Sequence, residues 1–141
     1  MRRALGLQLE FLHASSERDI ETAFASFAQR RINALLVAGD SFFLSRRDQL
    51  IAATARHAIP TSYQLREFVA AGGLVNYGTD LIDAYRLAGV YAGRILEGQR
   101  PTDLPVQQSV KFELVMNVKA ANALGLQIPD KLLALADEVI E

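Results

Sequence analysis

Gly39-Asp40-Ser41 stands where an apolar run, Ala34 to Ala38, gives way to polar residues. A serine at such a break has the setting of a hydrolytic nucleophile. Its hydroxyl is weak alone and needs a general base, normally a histidine oriented by a carboxylate. The chain has two histidines, His13 and His57, and neither lies late in an Asp-x-x-His spacing. The Ser41 reading therefore lacks its base, and the competing role for Asp40 or Ser41 is to cap the helix that follows.

Tyr63-Gln64-Leu65-Arg66-Glu67-Phe68 carries binding chemistry directly after a candidate strand. The planar fork of Arg66 could clamp a carboxylate, and Tyr63 could cover an apolar part of a ligand. The alternative is a local Arg66–Glu67 surface pair with Tyr63 filling the core edge. Tyr77 and Asp80 pose the same question, with Thr79 or Asp80 as a helix cap on the other side. Gly72, Gly73 and Gly78 fit neither the dinucleotide fingerprint nor a phosphate-binding loop and read as backbone turns. Two distant histidines without cysteine make a poor ligand set, so neither metal nor cofactor is expected.

The bulk numbers narrow the class. Half of the 141 residues are apolar and 22% are charged, which suits a packed globular core. Fifteen Lys and Arg against sixteen Asp and Glu leave a net charge of −1, with no basic excess for nucleic acid. No run approaches the roughly 20 apolar residues of a membrane span. The opening Met1 to Glu10 reads as carrying no export signal.

The elements that must position these residues follow from periodicity. Leu7 to Leu12 alternates at period two, the pattern of a half-buried strand. Ser15 and Ser16 precede a helix carrying Ile20, Phe24 and Phe27. Ala34 to Ala38 suits a strand buried on both faces. A helix near Arg46 to His57, a short strand Thr61 to Tyr63, a helical turn Arg66 to Ala70 and a strand Leu74 to Tyr77 come next. A long helix from Asp80 to Leu96 is closed by Gly98 and Pro101. Leu104 to Asn117 reads as extended, and Val118 to Leu124 and Pro129 to Ile140 as helices. The alternation predicts an α/β fold, a mostly parallel sheet with helices on both faces, whose ligands sit at the C-terminal ends of strands.

Several stretches, in order, resemble the ABC-transporter substrate-binding proteins of the type I periplasmic binding fold, which include tryptophan- and tyrosine-uptake relatives. They are Ala34-Leu-Leu-Val-Ala-Gly-Asp-Ser-Phe-Phe, Arg66-Glu-Phe-Val-Ala-Ala-Gly-Gly-Leu-Val-Asn-Tyr-Gly, Ile95-Leu-Glu-Gly, Asp103-Leu-Pro-Val-Gln-Gln, Lys111-Phe-Glu-Leu-Val-Met-Asn and Ala123-Leu-Gly-Leu-Gln-Ile-Pro. The resemblance implies a non-catalytic module that holds a small solute, an amino acid among the candidates, between two lobes and docks on an ABC permease. It places Asp40, Ser41, Tyr63, Arg66, Glu67 and Tyr77 on loops facing the cleft. Gly78 to Asp80 and Gln107 to Val110 become crossings between lobes. Residues 1–141 read as one domain, the C-terminal lobe, with the N-terminal lobe absent. Residues 80–98 form the helix that would pack on that missing lobe. The location implied is periplasmic, or cytoplasmic if the chain is made as given.

Two other readings stand beside this one: a Gly-Asp-Ser hydrolase using Ser41, and a ligand-free lobe that only self-associates. The second draws on the Asp80 to Leu96 helix, whose apolar residues from Leu81 to Ile95 are read as spread nearly all round its axis. A homo-oligomer is therefore expected, since a large apolar surface is seldom left in water.

Overall fold

The computed structural model describes residues 6–107 and 111–141. Ser16 opens helix α1 (Glu17–Arg30) with a reciprocal capping box: its side chain accepts from the Asp19 N–H while the Asp19 carboxylate accepts from the Ser16 N–H. Ile20, Phe24 and Phe27 form the buried stripe of α1, at the spacing its sequence predicts. Strand β1 (Leu35–Val37) follows, then the short α2 (Ser41–Ser45) and α3 (Arg47–Arg56). Strand β2 (Thr61–Tyr63), α4 (Arg66–Ala70), β3 (Val75–Thr79) and α5 (Leu81–Leu96) complete the first part. A 3₁₀ turn at Pro101–Asp103 precedes β4 (Phe112–Asn117), α6 (Val118–Ala123), α7 (Asp130–Leu133) and β5 (Glu138–Ile140).

The five strands lie in the order β1-β2-β3-β4-β5. Every pairing is parallel except β3 with β4, where Tyr77 faces Leu114 and Thr79 faces Phe112. The fold is thus a mostly parallel α/β sheet. Because β1, β2 and β3 follow one another in space, two crossovers of the same hand put α3 and α4 on one face. There Val37, Tyr63 and Phe68 join the α1 and α3 residues Ile20, Phe24, Phe27, Leu50 and Ala53 in one core. Side chains alternate between faces, and the second face is largely open: Leu36 is 64% exposed, Tyr77 60% and Phe112 52%. Toward β5 that face closes over Met116, which is buried.

Three expectations are corrected. Ala34 to Ala38 is not buried on both faces: of this run only Val37 is buried, and Leu36 turns to the open face. Leu7 to Leu12 forms no strand: it runs as exposed, irregular chain, because alternation alone does not supply a neighbour to complete a ladder. Pro129 to Ile140 is not one helix but the single turn of α7 followed by β5. The backbone amide and carboxylate of Asp137 both bond to the Leu114 backbone and steer this segment onto β4. The extended reading of Leu104 to Asn117 holds as a strand over Phe112 to Asn117, while part of the crossing read at Gln107 to Val110 lies outside the described residues.

Helix α5 buries none of its residues. Its apolar groups run most of the way round the axis, with the exposed Val90 among the charged residues and Leu87 beside them. Leu81, Tyr85, Ala88, Ala92 and Ile95 recur at helical spacing, with Ile82 and Leu96 beside them, and all are exposed. Asp83, Arg86, Arg94 and Glu97 take the opposite side. Ile82, Tyr85 and Leu96 are 74%, 75% and 87% exposed.

No helix is long and apolar enough to cross a membrane among the described residues.

Candidate functional site

The parallel strands β1, β2 and β3 end at one edge of the sheet, and β4, being antiparallel to β3, begins there. The loops after β1 and β2 are tied together at this edge: the Gly39 N–H donates to Gln64 Oε1 at 2.7 Å. Asp40 accepts from the Phe42 N–H at 2.7 Å and so caps α2. Ser41 is the first residue of α2 and is exposed. Among the described residues its hydroxyl bonds to neither histidine. His57, at the C-terminal end of α3, packs its ring against Phe24.

Arg66 opens α4 at the same edge, and its guanidinium is engaged. Nη2 donates to Glu138 Oε2 at 2.6 Å, and Nη1 stands 3.7 Å from Glu113 Oε2. Neither the free carboxylate clamp nor the local Arg66–Glu67 pair is therefore its role in this conformation. Glu113 lies on the core face of β4, and burial holds its carboxyl above the ordinary glutamate range, with Arg66 opposing that effect and the carboxylates of Asp80, Glu138 and Asp137 adding to it. Glu67 is half-buried in the first turn of α4, with Oε2 buried and unpartnered.

Tyr63 sits elsewhere. It is 0% exposed, stacked on Phe68 with centroids 4.6 Å apart, and its hydroxyl lies 3.3 Å from Thr54 Oγ1. Burial raises the pKa of that hydroxyl, which leaves it a neutral group locked in the core. Of the two roles the sequence offered Tyr63, the core one is observed. Tyr77 faces the open side of the sheet, stacked on Phe112 at 5.8 Å and 21°.

Asp80 closes the edge where β3 passes into α5. Its Oδ1 accepts from the Asp83 N–H at 3.0 Å and caps α5. Its Oδ2 meets Lys111 Nζ at 2.7 Å, and its own N–H donates to the Lys111 carbonyl at 3.0 Å. The Lys111 hydrogen bond, followed by that from Asp83, lowers the Asp80 pKa, and the same pairing raises that of Lys111.

The edge thus gathers Asp40 and Ser41 at the start of α2 and Arg66 and Glu67 at the start of α4, places Tyr77 on the other face, and withdraws Tyr63. Sequence reasoning missed Gln64, Lys111, Phe112, Glu113 and Glu138. Glu113 was legible only as a strand residue, and Glu138 was hidden inside a segment read as helix. Two surface hollows lie away from this edge, one between α1 and α3 lined by Ile20, Glu21, Gln49 and Arg56, the other between α6 and α7. Among the described residues no cluster of three or more His, Cys, Asp or Glu is arranged to hold a metal ion.

A search of curated protein sequences returned no match. Solved structures gave several. The ABC domain from Streptococcus pneumoniae in complex with L-Trp superposes with a TM-score of 0.83 and 26% identity, over 96% of this chain and 46% of that one. A conserved domain protein from Vibrio cholerae O1 biovar El Tor gives 0.79 and 27%, over 89% and 42%. A substrate-binding protein with adhesive properties from Clostridium difficile, in its ligand-free open form, gives 0.64 and 21%, over 90% and 42%, and supports the fold alone. The chain spans less than half the length of each. A family model described as ABC transporter substrate binding protein matches residues 2–140. With that match running almost from end to end, the chain belongs to the ABC transporter substrate-binding protein family.

Proposed function

We propose that this chain is one lobe of a solute-binding protein serving an ABC-type importer, and that it contributes half of a ligand site at the strand-end edge. The observation that carries this is the superposition, over nearly the whole chain, on a domain with L-Trp bound. An amino acid is accordingly the solute class, with an ABC permease as the partner and a location outside the cytoplasmic membrane, as is typical of the family. Asp40, Ser41 and Gln64 supply polar groups on adjoining loops. Tyr77 with Phe112 offers an aromatic surface, while the unpartnered Glu67 Oε2 is buried and not open to a solute in this conformation. Arg66 acts through its ion pairs by fixing α4 against β4 and β5. No bond is made or broken in this role.

The test is a thermal-shift and calorimetric screen of amino acids, L-tryptophan first. A ligand that binds only the folded chain raises the melting temperature in proportion to the logarithm of its concentration above Kd. A shift that grows in this way, with a saturable calorimetric isotherm, and that weakens in Asp40→Ala and Tyr77→Ala supports the reading. No shift with any amino acid overturns it for this chain.

A second reading, self-association, is favoured by the exposed apolar stripe of α5. Contiguous apolar surface on this scale is rare on monomers, and a second copy is the proposed cover when the chain is alone.

A further inference from the structure

We propose that Gln64 reads the carboxylate of the solute through its side-chain N–H group, a role that rests on the strand-end edge being an amino-acid site. A glutamine amide has an accepting end and a donating end. The partner of Gln64 at 2.7 Å is the Gly39 N–H, and a donor can be met only by the oxygen. Oε1 is thereby engaged, and Nε2 is the end that is left. Gln64 is exposed, and among the described residues its Nε2 has no protein acceptor.

The group is fixed as well as free. A β-carbon on Gly39 would stand 3.2 Å from Gln64 Oε1, so a side chain at that position would crowd the amide. The Gln64 carbonyl in turn lies against Gly78, with no room for a β-carbon between them. The loop after β1 and the end of β3 therefore both hold the residue that follows β2. A side chain restrained before binding loses less rotamer freedom when a ligand arrives. Asp40, next to Gly39, commits Oδ1 to the Phe42 N–H, and its Oδ2 takes no hydrogen bond among the described residues. The edge thus offers a neutral donor beside an anionic acceptor. An α-amino acid at neutral pH brings the complement whatever its side chain: a carboxylate for Gln64 and an ammonium for Asp40. Arg66, held by Glu138, leaves the carboxylate to the amide.

Gln64→Glu separates reading the solute from supporting the loops. A glutamate oxygen still accepts from the Gly39 N–H, while the donor is replaced by a second anionic oxygen. Calorimetry on the whole chain compares L-tryptophan with tryptamine, which keeps the ring and the ammonium but has no carboxylate. If the screen finds an amino acid that binds more tightly, it and its decarboxylated amine take their places. The parent should bind the amino acid about tenfold or more tightly than the amine, the scale of one hydrogen bond to a charged group. Gln64→Glu should weaken the amino acid by about tenfold or more and leave the amine unchanged or tighter, so that the preference disappears. A parent without the preference, equal losses for both ligands, or a preference that survives in the variant would each overturn this role while amino-acid binding stands. A parent that binds no amino acid overturns both. Should Gln64→Glu fail to fold by circular dichroism, Gln64→Met, which removes the donor without adding charge, decides by the same comparison.

Discussion

Gly78 lies so close to the carbonyl of Gln64 that a β-carbon there would collide with it, and the neighbour is backbone, which cannot step aside. The glycine read from sequence as a turn is instead a contact point between β3 and the loop that ends β2. Gly78→Ala should therefore destabilise the chain by about 1–3 kcal/mol or more in urea unfolding. The control is Gly89→Ala on α5, where nothing stands within reach of the new methyl. It should be neutral or stabilise by up to about 1 kcal/mol. Equal effects at the two sites would refute the contact.

Glu113 and Glu138 both face Arg66, yet their removal should differ in sign. Burial raises the Glu113 pKa above its ordinary value near 4.5. A raised folded value means that the favourable contribution is present below the unfolded pKa and is lost as pH rises through the folded one. At pH 7 Glu113→Gln should leave the melting temperature unchanged or higher, and the gain should fade as pH is lowered toward 4.5. Glu138→Gln loses the 2.6 Å pair and should cost about 0.2–1 kcal/mol at pH 7, given its exposure. A larger loss from Glu113→Gln than from Glu138→Gln at neutral pH would contradict this account.

Sedimentation should find the purified chain as a dimer or larger at micromolar concentration. Tyr85→Glu and Leu96→Glu, both on the exposed stripe of α5, should shift it toward monomer with little change in circular dichroism. A monomeric parent would end the self-association reading.

Ser41→Ala should abolish nothing measurable on short acyl esters, since its hydroxyl bonds to no histidine among the described residues. Hydrolysis well above background that disappears in this variant would revive the nucleophile.

What could be read from the sequence was local. The Ser16 cap, the α1 stripe, the strand at β1 and the turns around β2 and α4 each depend on residues a few positions apart, and each is present, although β1 is buried on one face and not on both. Leu7 to Leu12 shows the limit, because a strand needs a neighbour that periodicity does not name. The last segment failed for a similar reason: Asp137 and Glu138 act on Leu114 and Arg66, and that long-range pairing overrides the helical pattern. At the site, residue type marked Arg66 but could not show that two carboxylates from β4 and β5 already hold it. For α5 the spread of apolar groups round the axis is legible in the sequence, since it depends on helical spacing alone, and none of the helix is buried.

Every strand in the sheet has its sequence neighbour as its spatial neighbour, and this bears on how the chain finds its fold. From β1 to β3 the pairings close over residues 38–60 and 64–74, which fold into helices that pack on the same face, so the first three strands can add one at a time. The step from β3 to β4 is different, because residues 80–111 must be looped out before Tyr77 can meet Leu114. The entropy of closing a loop grows only with the logarithm of its length, so the penalty is modest, but it falls on one event. The sheet should therefore assemble in two stages, with β1 to β3 acquiring hydrogen-exchange protection first and β4 and β5 joining together once Asp80 and Lys111 have met.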